Sequence, residues 1–186
     1  MSAPVPDAAV AAAAGAARTY LRVADGAEEA ALAGFARAAF AMGEAFTGAA
    51  FVVRAHEDVA PAAAVWTPLA WEPVTAITGV TALPVAGAPS VLPVGAYAVD
   101  IDADGRGWVR VTASPGAARV AVAYQAGLAA TWEALPAAVR QGVVAMTAAL
   151  FEDRAGLAGP PPAVAALWRP WRRMRLTGTR LTGVGA

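Results

Sequence analysis

The chain has 186 residues with no cysteine and one histidine, His56, which excludes thiol chemistry, disulfides and any zinc site built from cysteine and histidine. Apolar residues make up 58%, much of it alanine, and net charge is zero, so no field over the whole molecule draws it to nucleic acid. No window of about 18 residues is free of charge and strongly apolar, so the chain is expected to be soluble and intracellular, with no membrane partner. The length suits one domain with a sub-domain.

Residues 7 to about 48 read as a helical hairpin. Asp7 stands at the N-cap position of an alanine-rich run, and Leu21-Arg22-Val23 followed by Ala24-Asp25-Gly26 reads as a helix end and turn. From Glu28, Leu32, Phe35, Ala36, Ala39, Phe40 and Gly43 recur at helical spacing, and Gly48 suits the position after the helix C-terminus.

Residues 50 to about 126 change character. Val, Thr, Trp and Tyr rise and seven prolines appear, at 61, 68, 73, 84, 89, 93 and 115. Short alternating runs at 51–53, 65–67, 74–80, 97–101, 108–111 and 120–124 predict antiparallel strands. From Leu135-Pro136 helical periodicity returns, with Val139, Val143, Met146 and Leu150 on one stripe. Gly159-Pro160-Pro161-Pro162 reads as a stiff spacer before a short helix, 163–167. The expected class is α+β: a small bundle of the N-terminal pair (1–49) and C-terminal helices (128–167), an antiparallel β insertion (50–127), and an arm over 168–186.

Few constellations point to chemistry. Asp100-Ile101-Asp102-Ala103-Asp104-Gly105 opens like an EF-hand loop, but Val111 stands where a bidentate glutamate is needed, so it reads as a hairpin turn rather than a metal site. His56, beside Glu57 and Asp58, reads as a solvated loop residue. No nucleophile–base pair and no phosphate loop is present, so no catalytic residue, cofactor or metal is assigned and the chain is not expected to be an enzyme.

The C-terminal segment is different. After Asp153 there is no acidic residue, while Trp168, Arg169, Trp171, Arg172, Arg173, Arg175 and Arg180 follow. Trp and Arg are enriched at binding hot spots, so these seven are the candidate interface. Two alternatives stay open: both rings fold onto the core and leave solvated arginines, or the segment is a basic aromatic module that stacks and pairs with nucleic acid or another ligand.

Three blocks together resemble one family, the head–tail connector (adaptor) proteins of long-tailed phages and phage-like gene transfer agents. They are Tyr20 to Val23 with Glu44-Ala45-Phe46-Thr47-Gly48; then Leu83-Pro84-Val85 with Val122-Ala123-Tyr124-Gln125-Ala126-Gly127; then Leu135 to Gln141, Leu150 to Arg154 and Pro170-Trp171-Arg172-Arg173-Met174-Arg175-Leu176. The departures are Gly142 and Ala155 where the family has alanine and glutamate, and Phe151 and Trp171 in place of tyrosines. The resemblance implies a structural ring, commonly of twelve subunits, seated below a portal protein and joined to a tail-side connector or stopper protein. DNA would pass through it without specific binding. It also implies assembly in the bacterial cytoplasm before incorporation into a particle neck.

Overall fold

The computed structural model describes residues 1–24, 28–114, 116–153 and 159–173. Its class is the expected mixture of helices and antiparallel sheets. Helices α1 (Asp7–Leu21), α2 (Glu29–Thr47), α3 (Ala137–Glu152) and α4 (Pro162–Trp168) lie on either side, in sequence, of strands β1 (Arg54–Pro61), β2 (Thr67–Pro68), β3 (Val74–Leu83), β4 (Ser90–Val91), β5 (Tyr97–Ile101), β6 (Gly107–Val111) and β7 (Arg119–Ala126). The cap of helix α1 lies one residue earlier than predicted: Pro6 holds the N-cap position, and Asp7 lies in the first turn and pairs with Arg37 of α2. Both ends of that pair are exposed, so it contributes little. Gly48 caps α2 at φ +73°, as its position predicts.

The predicted strands at 74–80, 97–101, 108–111 and 120–124 form. The run at 51–53 does not: Phe51 and Val52 pack into the helical core, and the strand starts at Arg54. All strand pairs are antiparallel, in one sheet ordered β1-β7-β3-β4 and a second ordered β2-β6-β5.

Two apolar clusters result. One gathers Val10, Leu32, Phe40, Phe51, Trp132, Val143, Met146 and Trp168 between the helices. The other gathers Leu69, Val80, Val109, Val111, Val120, Val122 and Tyr124 from both sheets. The chain passes between them twice, at 50–53 and 127–129, and the two passages are hydrogen-bonded: Val53 N–H to the Ala129 carbonyl (2.8 Å) and Leu128 N–H to the Ala50 carbonyl (3.0 Å). At Gly127 a Cβ would lie 2.3 Å from the Val53 nitrogen, so only glycine lets the passages approach this closely.

A buried ion pair fastens the junction. Both guanidinium Nη atoms of Arg54 donate to the Glu44 carboxylate, at 2.8 and 2.7 Å, and the Phe51 N–H donates to its Oε1 at 2.8 Å. Arg54 Nε donates to the Ala3 carbonyl (3.0 Å), which holds the N-terminal residues against β1. Ser2 bridges His56 there, a contact that no periodicity in the sequence signals.

Trp168 is fully buried, in a socket shaped by two glycines. A Cβ on Gly43 of α2 would lie 2.9 Å from the ring, and one on Gly142 of α3 would lie 2.2 Å from the indole nitrogen. Phe46 and Phe51 complete the walls, each 6.2 Å from the ring centroid. Gly142, the departure from the family's alanine, thus makes room for Trp168.

Gly142→Ala is expected to cost about 1–3 kcal/mol by overpacking, and Trp168→Ala about 3–5 kcal/mol. Adding Trp168→Phe to Gly142→Ala should cost less than the two singles summed, because the smaller ring vacates the space the methyl needs. Arg54→Ala should cost about 3–5 kcal/mol, since it strands the Glu44 carboxylate in the interior. Urea unfolding midpoints of the purified variants check all of these.

Candidate assembly interface

The predicted interface residues separate into different environments. Trp168 is a core residue, so its reading as a docking side chain is corrected: the glycine socket that accepts it leaves no face for a partner. Pro162 opens α4 instead of belonging to the spacer, and α4 runs through Trp168 into a 3-10 turn, Arg169–Trp171. No free arm therefore starts at 168. Trp171 is half-buried against the helical cluster, and Arg169 and Arg172 are exposed. Arg172 rests on the Phe46 ring with its guanidinium carbon 5.4 Å from the centroid. Arg175 and Arg180 lie outside the described residues.

Arg173 is a strap, not a loose cation. Its N–H donates to the Thr47 carbonyl at the end of α2 (2.7 Å), and its Nη1 donates to the Asp104 carbonyl in the β5–β6 turn (2.6 Å). The same Nη1 stands 3.9 Å from the buried Glu72 carboxylate, which also accepts from Arg106 Nε at 3.0 Å. The segments Glu44–Gly48 and Pro170–Arg173, far apart in sequence, therefore meet. Because Trp168 is buried and Trp171 is half covered, 168–173 offers no open platform for stacked bases.

The apparent calcium loop is a hairpin turn. Asp102 Oδ1 accepts the N–H groups of Asp104 (3.0 Å) and Arg106 (2.9 Å), Oδ2 accepts the Trp108 indole N–H (3.1 Å), and Gly105 turns at φ +77°. The Arg106 amide and then the Trp108 indole hold the Asp102 carboxyl below its ordinary pKa. Its oxygens are already committed to the turn. Among the described residues no group of three or more His, Asp or Glu side chains converges as metal ligands. Nor is any helix long and apolar enough to cross a membrane.

His56 departs most from expectation. It lies in β1, buried, between the Trp71 ring (5.4 Å) and the Tyr124 ring (5.5 Å), with Nδ1 2.9 Å from Ser2 Oγ. Tyr124 in turn donates to Asp58 Oδ2 at 2.9 Å. The alternation of β1 turns His56 inward, a pattern that the flanking Glu57 and Asp58 conceal in the sequence. Burial, reinforced by the nearby charge of Arg54, pushes its pKa from 6.5 down to about 4, so the ring is a neutral core residue and not an acid–base group near pH 7.

What sequence reasoning missed is the β surface. Apart from Met1 and Tyr20, the exposed large apolar residues among the described ones are Val59, Val65, Trp66, Val85, Val91, Val94, Val99 and Ile101. All eight lie between β1 and the end of β5. Single exposed valines carry no signal in a sequence so rich in valine and alanine; only the fold shows which of them border the edges of the sheets.

No protein-family model matches this chain, and no curated protein matches it. Solved structures do. A chain in the neck of an empty gene transfer agent (GTA) particle, computed with C6 symmetry, is similar at TM-score 0.75 and 29% identity, over 97% of this chain and 99% of that one. A chain in the virion of a native GTA particle is 30% identical at TM-score 0.73, with 95% of each chain covered. A third, in the neck of a native GTA particle computed with C12 symmetry, is 27% identical at TM-score 0.76, over 97% and 99%.

The His56 geometry sets a pH dependence. Its folded pKa is depressed, so as pH falls the unfolded chain takes up the proton first. The contribution of His56 is complete above about pH 6.5 and drains away toward pH 4, by roughly 3 kcal/mol in all. His56→Phe, which keeps a ring between Trp71 and Tyr124, is expected to lose less stability than the parent between pH 7 and pH 4.5. Thermal melts of both proteins at the two pH values check this.

Proposed function

The chain belongs to the head–tail connector (adaptor) family of long-tailed phages and phage-like gene transfer agents, and from that membership we propose that it forms a ring in a particle neck, below the portal and above the tail. The observation that carries this reading is likeness over nearly the whole chain, at 27% to 30% identity, to chains of GTA particles and their necks. A ring of twelve copies obeys both C6 and C12 symmetry. The role is structural, and the polar groups support it: Glu44, Arg54, Glu72, Arg106 and Arg173 are engaged with one another or with the backbone in holding the fold. The subunit would assemble in the bacterial cytoplasm and then reside in the neck.

The geometry of the C-terminal segment supports a finer reading of the partners. Arg173 ties the chain to both the α2 end and the β5–β6 turn, so the sequence beyond it, with Arg175 and Arg180, leaves from a fixed point. We assign portal contact to that stretch together with the exposed Arg169 and Arg172, and tail-side contact to the opposite face of the ring.

Deleting 174–186 is expected to leave the melting temperature within about 2 °C of the parent and to abolish co-purification with portal rings. Deleting 168–186 should lower stability as well, because it removes Trp168 from the core. A 174–186 deletion that still co-purifies with the portal would overturn the assignment of the arm.

A further inference from the structure

The apolar exposure of the β part is arranged as two edges. The sheet orders β1-β7-β3-β4 and β2-β6-β5 share a core, and a cavity of about 460 Å³ is lined jointly by β1 and the β2 segment, including Val59, Pro68 and Leu69. So β1 and β2 stand at the same side. The other ends of the two orders, β4 and β5, are joined by only five residues, with Leu92 N–H donating to the Val80 carbonyl, which brings them to the opposite side.

The eight exposed apolar residues divide between these edges. Val59, Val65 and Trp66 border the β1/β2 side, where Trp66 is braced by the Arg110 guanidinium at 4.9 Å. Val85, Val91, Val94, Val99 and Ile101 lie along the β4/β5 side. Val99 and Ile101 are the most informative. They pair with Val109 and Gly107, both buried, so they share the inward face of the sheet. Even so they are 41% and 39% exposed. The core of the β part runs to this edge and stops uncovered. An edge strand with an uncovered apolar face needs a cover, and a chain that stays soluble supplies one.

We propose that a second copy of this chain supplies it: the β4/β5 edge of one subunit, with Val99 and Ile101 foremost, seats against the β1/β2 edge of the next and fills its cavity. The inference rests on the ring reading above. A closed ring repeats one heterologous contact, so each subunit must carry two different, complementary faces. Here one edge presents projecting valines and isoleucine, and the other presents a concavity lined by Val59, Pro68 and Leu69 beside charges that are already engaged, Asp58 with the Tyr124 hydroxyl and Glu72 with Arg106. Their positions on opposite sides of one sandwich allow the contact to propagate from copy to copy.

The test exploits the absence of cysteine. Val99→Cys combined with Pro68→Cys, oxidised in assembled particles, is expected to give a ladder of covalent oligomers, while either single variant gives none beyond dimer. Independently, Val99→Asp with Ile101→Asp should remove the subunit from purified necks, whereas Tyr20→Asp, on the exposed surface of α1, should not. If imaging shows a ring in the parent that the double aspartate variant retains and the cysteine pair does not cross-link, the contact is wrong and the ring reading stands. If the parent forms no ring, both fail. Should the aspartate variant not fold, the cysteine ladder alone decides.

Discussion

A carboxylate buried between two cores cannot be left unpaired, and the junction of this protein is organised around that requirement. Glu44 lies at the end of α2, where the helical cluster meets the sheets. Its oxygens are satisfied by the Arg54 guanidinium and the Phe51 N–H. This demands that α2, the passage at 50–53 and the start of β1 keep one geometry. Arg54 extends the constraint to the Ala3 carbonyl and to the Trp71 ring, 5.7 Å away. Replacing such a buried pair with well-packed apolar residues is often neutral or stabilising, whereas removing one partner leaves the other charge stranded in the interior.

The C-terminal segment is fastened to the same junction. Trp168 fills the gap that Gly43 and Gly142 leave, Arg172 lies on Phe46, and Arg173 reaches the Asp104 carbonyl beside Glu72. Two stretches of the family resemblance, Glu44–Gly48 and Pro170–Arg173, are thus two sides of one contact. A third, Val122 to Gly127, contributes the Tyr124 hydroxyl to Asp58 and the close approach of Gly127 to Val53.

The division of surface character fits a subunit that is complete in its helices and incomplete in its sheets. Tyr20 is the only large apolar side chain exposed on the described residues of α1 to α4, whereas the β part leaves both of its edges apolar. A monomer has no reason to keep such edges, since a charge or a proline would protect each of them at little cost. A ring subunit has one if its neighbours complete the core on either side, as the proposed contact requires.

Much of this was legible in the sequence. The hydrophobic period changes from 3.6 to 2 and back, and Pro136 and Gly48 mark helix ends through their own backbone preferences, so the class and element order follow from local physics. The hairpin at Asp102 to Arg106 was also readable, because a turn is closed by its own neighbours. The errors concern residues whose environment is made by distant segments. Trp168 and Arg173 look like a docking surface in composition, yet glycines 26 and 125 residues away make the socket for one, and the Asp104 carbonyl 69 residues away holds the other. His56 looks solvated beside two acids, yet strand pairing encloses it between Trp71 and Tyr124. Burial is a property of what the rest of the chain brings near, so sequence determined which segments form, and tertiary structure alone decided which of their side chains are left for a partner.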